Sequence, residues 1–414
     1  MPRSPLTLAG GARVSDFITL GVLSERIPGE DVQACIRESG RKELRRRGLP
    51  ADTTALLVVA LSLYRDVSYE EVLSCLSEGF RWLGLGGARL ATKGAVTQAR
   101  VRLGIEPMRL LFRRLAKPVS DAKTPGAWYR SWRTVALDGT TLDVVDSPAN
   151  AAAFGYPGAS RGTPSHPQIR FVSLVETGTH APFAADVGPY STGEVTLARN
   201  LLPHLEPGML LLADRGFFGY ELFSQAAATK AELLFRVRSN QQLAPHQRLA
   251  DGSYLSRIHA HPNERRKGEG GFEVRVIEYA IEGQDETYRL VTTILDPAAA
   301  PATELARLYH ERWEIEGAFD EIKTHLKGSH LPLRSKSPDL VMQEFWGLML
   351  CHWAIRDLMH QASKHRSRDP DDISFVAALR LVKRTLPARA ALSPSATQSV
   401  ETPTLGRTVP SSDI

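Results

Sequence analysis

The chain has 414 residues, 43% of them apolar and 23% charged, with a formal net charge of +5. This length can bury a large core and suggests two to three domains, and the composition is that of an ordinary globular protein. The longest apolar stretches, 53–64 and 345–355, fall well short of the ~20 residues needed to cross a bilayer, so no spanning helix is expected.

Arg13 and Asp16 interrupt the apolar residues near the N-terminus, so no export signal is expected. Cys35, Cys75 and Cys351 are odd in number and widely spaced; they read as reduced thiols of a cytosolic protein, with no Cys-x-x-Cys metal site. Charge is unevenly placed. Residues 1–130 carry 21 Lys+Arg against 13 Asp+Glu, and the remainder carries 30 against 33. A basic block beside an acidic remainder fits a polyanion held by one part and processed by another; a solvated basic face has the same signature.

The first 130 residues read as helices. Residues 56–64 form an apolar helical run, and Ser68 can cap a helix over 69–76 that carries Glu70 and Glu71 in its first turn. Gly84-Leu85-Gly86-Gly87 breaks the chain. Thr92 can then cap a helix over 93–103 that displays Thr97, Gln98, Arg100 and Arg102. A short helix, a glycine turn and a basic helix match a helix-turn-helix, which makes Arg100 and Arg102 candidate DNA contacts.

From Arg133 the apolar period changes to that of strands. Strands are expected at 134–138, 168–176 and 183–187, the last two joined by a short connection and therefore antiparallel. A helix over 194–202, a wholly apolar central strand at 209–213, a helix over 220–230 and a buried strand at 232–237 follow. The order is β-β-β-α-β-α-β. Residues 239–290 read as a β-rich insertion, with a strand at 272–281 and a charged, glycine-rich loop at 263–271. Long helices are expected over 303–326 and 339–361. Residues 390–414, with nine Ser/Thr, three Pro and few large apolar groups, read as disordered.

Two acids stand at the ends of apolar strands, where a carboxylate is costly. Asp138 is followed by Gly139-Thr140, and Asp214 by Arg215-Gly216. Neighbouring strand ends would bring them together, and two carboxylates so placed repel unless a proton or a cation such as Mg2+ separates them. Taken singly, either Asp can instead cap a turn, and Asp143 and Asp146 compete with Asp138. On the 303–326 helix, at about 100° per residue with Tyr309 as zero, Arg312 falls at about −60°, Glu316 at about −20° and Lys323 at about −40°. The adjoining stripe of Leu308, Ile315, Phe319, Ile322 and Leu326 must face the core; Glu314 and Glu321 point away from both and are expected in solvent. Asp320 is the rival acid. Three carboxylates can hold two divalent ions, and Arg312 and Lys323 can bind phosphate, which is what phosphodiester chemistry requires. A surface ion-pair array on this helix has the same spacing.

At these residues the chain resembles a DDE transposase of the insertion-sequence-four type. The resemblance rests on Leu137-Asp138-Gly139-Thr140, on Leu212-Ala213-Asp214-Arg215-Gly216-Phe217, and on the signature Tyr-x2-Arg-x3-Glu-x6-Lys met by Tyr309, Arg312, Glu316 and Lys323. It covers about 15–385 and includes an N-terminal region similar to the family's own. It implies an α/β fold: a ribonuclease-H-like mixed sheet with flanking helices, a β-rich insertion before the last catalytic helix and an all-helical N-terminal domain. The implied organisation is a basic, DNA-binding domain at 1–130, the first part of the catalytic core at 131–238, the insertion at 239–293, the completion of the core with C-terminal helices at 294–386, and a disordered tail at 387–414.

The resemblance further implies Asp138, Asp214 and Glu316 as catalytic metal ligands, with Tyr309, Arg312 and Lys323 on transposon-end phosphate. Two Mg2+ ions per site are implied, with Mn2+ able to substitute. The implied reaction is cut-and-paste transposition of double-stranded DNA: water cleaves at the element's terminal inverted repeat, the freed 3′-hydroxyl closes a hairpin, and after opening it joins target DNA. Relatives act as homodimers holding two ends, and a bacterial cytoplasmic, nucleoid-associated, membrane-free location follows. Relatives that form hairpins can use a Trp in the insertion to hold a flipped base; residues 239–290 have none, leaving Tyr254, Phe272, Tyr279 or Tyr288 as substitutes. The Ser/Thr/Pro tail also lacks a basic ending, as a truncated or frameshifted copy would. A nuclease without strand transfer and a catalytically inactive DNA-binding relic are the alternatives.

Other chemistries lack their motifs. No phosphate-binding Gly-x4-Gly-Lys-Ser/Thr loop and no His-Glu-x-x-His occurs. Gly158, Ser160 and Gly162 match a nucleophile-elbow pattern but follow no apolar strand. His325 and His330 are five apart and read as surface residues.

Overall fold

Alternating apolar residues from Trp132 onward build strands, and residues before it build helices. The computed structural model describes residues 20–43, 48–77, 91–158, 165–267, 270–281, 287–365 and 368–389. The Gly84–Gly87 turn, most of the Gly158–Gly162 loop and residues 390–414 lie outside these.

Five α-helices come first among the described residues: α1 (Gly29–Glu38), α2 (Ala51–Leu63), α3 (Tyr69–Ser77), α4 (Lys93–Leu103) and α5 (Glu106–Leu115). Thr92 caps α4 by accepting from the Ala95 N–H, and Ser68 accepts from the Glu71 N–H at the start of α3. The strands are β1 (Trp128–Tyr129), β2 (Trp132–Asp143), β3 (Gln168–Glu176), β4 (Ala181–Pro189), β5 (Met209–Ala213) and β6 (Glu232–Arg236). Helix α6 (Pro148–Phe154) lies between β2 and β3, α7 (Glu194–Leu201) precedes β5, and α8 (Tyr220–Ala228) precedes β6.

The residues that follow β6 extend the same sheet. β7 (Gln247–Arg248), β8 (Tyr254–Ile258), β9 (Phe272–Ala280) and β10 (Thr287–Thr292) give the order β4-β3-β2-β5-β6-β10-β9-β8-β7 in a ten-stranded sheet, with β1 paired to β2. β2, β5 and β6 are mutually parallel and the other pairs antiparallel. β5 is buried at all five positions, as a central parallel strand must be. Part of the expected charged loop is a short exposed helix, α9 (Pro262–Lys267).

The expected 303–326 helix is continuous but irregular. It runs as α10 (Ala302–His310), a 3-10 turn (Glu311–Trp313), α11 (Glu314–Asp320) and a π turn (Glu321–Leu326). The long helix α12 (Pro338–Lys364) and then α13 (Phe375–Arg389) complete the described chain.

The early helices do not stand apart from the rest. α2 is apolar nearly all round, with ten of thirteen residues buried, and such a helix needs cover on every side. α12 gives it that cover: a Cβ on Gly347 would lie 2.9 Å from Val58 Cγ1, so glycine there lets the two helices touch. Leu57, Phe112, Phe171, Phe319, Phe345 and Trp346 share one core spanning early helices, sheet face and late helices.

Two sequence expectations are corrected by this packing. Arg100 is fully buried rather than presented to DNA. Its guanidinium donates to Gln343 Oε1, Tyr69 Oη and the Leu340 carbonyl, and lies 3.7 Å from Glu344. Helical spacing places it on the polar face of α4, but that face meets α12. Arg102 is partly exposed and pairs with Glu43 at 3.2 Å.

Glu314 and Glu321 are likewise not in solvent, because the β3–β4 turn and α12 cover the back of the helix. The Gly178 N–H donates to Glu314, whose carboxyl is pushed up to about 7 chiefly by burial. Glu321 is buried, with His352 Nε2 at 2.8 Å and Arg356 Nε at 2.8 Å. Burial alone would raise the Glu321 carboxyl, but His180, His352 and Arg356 overcome it and hold it well below its ordinary range.

Arg100→Ala is expected to cost roughly 3–5 kcal/mol, because it leaves Glu344 short of a buried partner; chemical denaturation measures this. Glu321→Gln should lose a similar amount at neutral pH. With a depressed folded pKa, the Glu321 contribution is complete above its unfolded value of 4.5 and disappears as pH falls through the folded value. Wild type and variant should therefore converge in stability only well below pH 4.5.

Candidate active site

Strand register brings the first two acids together. In the parallel β2–β5 pair Leu137 lies opposite Ala213, so Asp138 and Asp214 occupy the next rung. Side chains alternate between faces. Ala136 and Leu212 point toward the helices that close the signature-bearing face, while Leu137 and Ala213 join the opposite core with α7 and α8. Asp138 and Asp214 follow the first parity and emerge beneath the 302–326 helix. This is the carboxyl end of the parallel strands, where open α/β sheets commonly place their sites.

The helix above supplies the remaining groups. The Tyr309 hydroxyl lies 3.3 Å from Asp214 Oδ1 and 3.4 Å from the Ala213 carbonyl. Arg312 bridges two acids: Nη1 is 3.3 Å from Asp138 Oδ2 and Nη2 is 3.6 Å from Glu316 Oε1. Lys323 Nζ donates to Thr140 Oγ1 at 3.0 Å. The 3-10 turn over-winds the helix and the π turn under-winds it, yet all four signature side chains reach the same sheet edge. The stripe expected in the core is there: Leu308, Ile315, Phe319, Ile322 and Leu326 are all buried.

Burial dominates the electrostatics of the site. Burial pushes the Asp138 carboxyl up to about 6; the Gly139 N–H and Arg312 oppose this, and Glu194 and Asp214 add to it. Burial also raises the Tyr309 phenol, which keeps it a protonated donor. Arg312 is itself buried, so one guanidinium answers three carboxylates. An all-oxygen donor set with Glu316 49% exposed is of the kind that suits a hard divalent cation.

Competing residues are occupied elsewhere. Asp143 accepts from Gln168, Asp146 from the Tyr156 hydroxyl, and Asp320 from Thr324 with His325 at 3.5 Å. Among the described residues it is His180, Glu314 and Asp371, on the far side of the helix, whose ligand atoms all lie within 4.8 Å of one another; those of Asp138, Asp214 and Glu316 are more widely spread. There His180 Nδ1 accepts from Arg356 at 2.5 Å and Asp371 lies 3.8 Å from the same guanidinium, so Arg356 already provides the cation.

Of the aromatic residues in the insertion, Tyr254 is buried and bonded to Glu278, and Phe272 packs on Phe223. Tyr279 and Tyr288 stack at 5.4 Å, with Tyr279 edge-on to His310. Two residues carry no motif in the sequence and emerge only here. Trp313 is 60% exposed beside Arg312, and Glu194 faces Asp138 from the start of α7. The Gly139 that follows Asp138 is the one signal in the sequence for Glu194.

The chain was compared with known proteins. The transposase DDE domain model matches residues 131–354, more than half of the chain, and the insertion element 4 transposase N-terminal model matches residues 17–113. The transposase InsG for insertion sequence element IS4, from Escherichia coli (strain K12), is 30% identical over 377 residues, covering 90% of this chain and 84% of the relative. A solved piggyBac transposase synaptic complex with hairpin DNA aligns over 91% of this chain and 80% of its own, at 12% identity and a TM-score of 0.49. With its family model over the sheet and signature helix, and this relative matched nearly end to end, the chain belongs to the DDE transposases of the insertion-element-4 type.

Proposed function

We propose that Asp138, Asp214 and Glu316 are the metal-binding catalytic acids of this transposase, on a ribonuclease-H-like core formed by β2–β6 with α7 and α8. The observation that carries this reading is the β2–β5 register, which ends one residue before Asp138 and Asp214, with Arg312 spanning Asp138 and Glu316. Two Mg2+ ions, or Mn2+ in their place, would activate the attacking oxygen and stabilise the leaving one. The chain does the rest. The carboxylates hold the cations at the strand ends. Arg312, a planar fork already between two carboxylates, turns to the scissile phosphate, and Lys323 binds it as a point charge held by Thr140. Tyr309 remains a proton donor and hydrogen-bonds near Asp214.

The substrate is double-stranded DNA, cut at the element's terminal inverted repeats and joined to target DNA by a homodimer holding two ends. A hairpin step calls for an aromatic face for a displaced base, and Trp313 offers one on the signature helix. The N-terminal helices bind DNA through the exposed side of α4, which carries Lys93 and Gln98 in place of the buried Arg100. No described helix is long and apolar enough to cross a membrane.

Asp138→Asn, Asp214→Asn and Glu316→Gln should each lower Mg2+-dependent cleavage roughly a thousandfold or more while end binding persists. The assay uses DNA carrying the sequences that flank this gene; full activity in any variant removes that residue from the site. Transfer of a labelled 3′ end into a second duplex separates a transposase from a simple nuclease. Lys93→Ala should reduce the slope of log binding constant against log salt by about 0.9; an unchanged slope moves the DNA contact to another surface.

A further inference from the structure

Glu194 approaches the candidate site from the other side of β2. It is the first residue of α7, and its carboxyl occupies the room that Gly139 leaves empty: a Cβ there would lie 2.9 Å from Glu194 Cδ and Cγ and 3.1 Å from Oε1. β2 runs on past the end of β5, so at this level the strand has no parallel neighbour and a group on either face can reach the edge. Arg170 steadies the carboxylate. Its Nε lies 3.9 Å from Glu194 Oε1, its Nη1 donates to the Thr192 carbonyl, and it stacks 4.6 Å over Tyr190. The Glu194 side chain is 40% exposed, and its negative charge adds to that on Asp138.

We propose that Glu194 is a fourth carboxylate of the metal centre, set beside Asp138 by the gap at Gly139. This rests on the reading of Asp138, Asp214 and Glu316 as metal ligands. Mg2+ dehydrates reluctantly and keeps much of its water shell, and carboxylates flanking the direct ligands hold that shell. Glu194 supplies this on the Asp138 side, where Arg312 and Lys323 otherwise add only positive charge. Gly139 is a specific requirement of the arrangement: its φ lies outside the left-handed region, so the backbone accepts alanine, and only the Glu194 side chain has to move.

The test is Mn2+ binding to the full-length chain, read by electron paramagnetic resonance of free Mn2+, with thermal unfolding as the check on folding. Glu194→Gln should weaken Mn2+ binding about tenfold. Gly139→Ala should weaken it in the same direction, and the double variant no more than Glu194→Gln alone. Glu221→Gln, which removes an exposed carboxylate paired with Arg199, should bind as wild type. Wild-type affinity in Glu194→Gln, with loss in Asp138→Asn, overturns this proposal alone. Wild-type affinity in Asp138→Asn overturns the ligand reading and this proposal with it. Loss in Glu194→Gln but not in Gly139→Ala overturns the role of the gap.

Discussion

Burial of a carboxylate at the open end of two parallel strands is the constraint on which this molecule turns: it pushes the Asp138 carboxyl up to about 6, and Glu194 and Asp214 add to it. The β2–β5 register ends with Leu137 opposite Ala213, so Asp138 and Asp214 each follow directly on a paired residue and meet the same helix, Asp138 at Arg312 and Asp214 at Tyr309. The Gly139 N–H and Arg312 oppose the effect of burial on Asp138. On the reading proposed above, a divalent cation at these carboxylates would offset the cost of burying them.

The constraint reaches outward through the helix above. Its front face must deliver Tyr309, Arg312, Glu316 and Lys323 to one sheet edge, and its back face must be held firmly enough to keep them there. Glu321 serves the second need: its carboxylate is gripped by His352 and Arg356 of α12, and Arg356 also reaches His180 on the β3–β4 turn. α12 in turn packs on α2 and encloses Arg100. The helix that presents the acids is therefore tied, through buried charge pairs and a shared core, to the first hundred residues.

Much of this architecture is legible in the amino-acid sequence. The five-residue apolar run that precedes Asp214 reads as a central strand buried on both faces, and the succession of strands and helices from β2 to β6, α6 excepted, follows from periodicity and the proline and glycine breaks. The four signature residues fall on one helical arc. Periodicity fails where a second layer intervenes. Arg100 and Glu321 look like surface charges on a helical wheel, since a wheel shows which residues share a side and not whether another helix lies against that side. Glu194 escapes for a related reason: it sits far along the chain from Asp138 and belongs to no spacing pattern, and only a glycine marks its approach.

Local sequence by itself determined the elements and the chemistry available: strands from period two, helices from period 3.6, carboxylates at strand ends, and cations and a phenol on one helix face. These follow from forces acting within a few residues. Tertiary structure alone decided which acids face the signature helix, which charges are buried and which face of each helix is left exposed. Those outcomes depend on strand register and on which layer packs over which, and residues far apart in the chain set both.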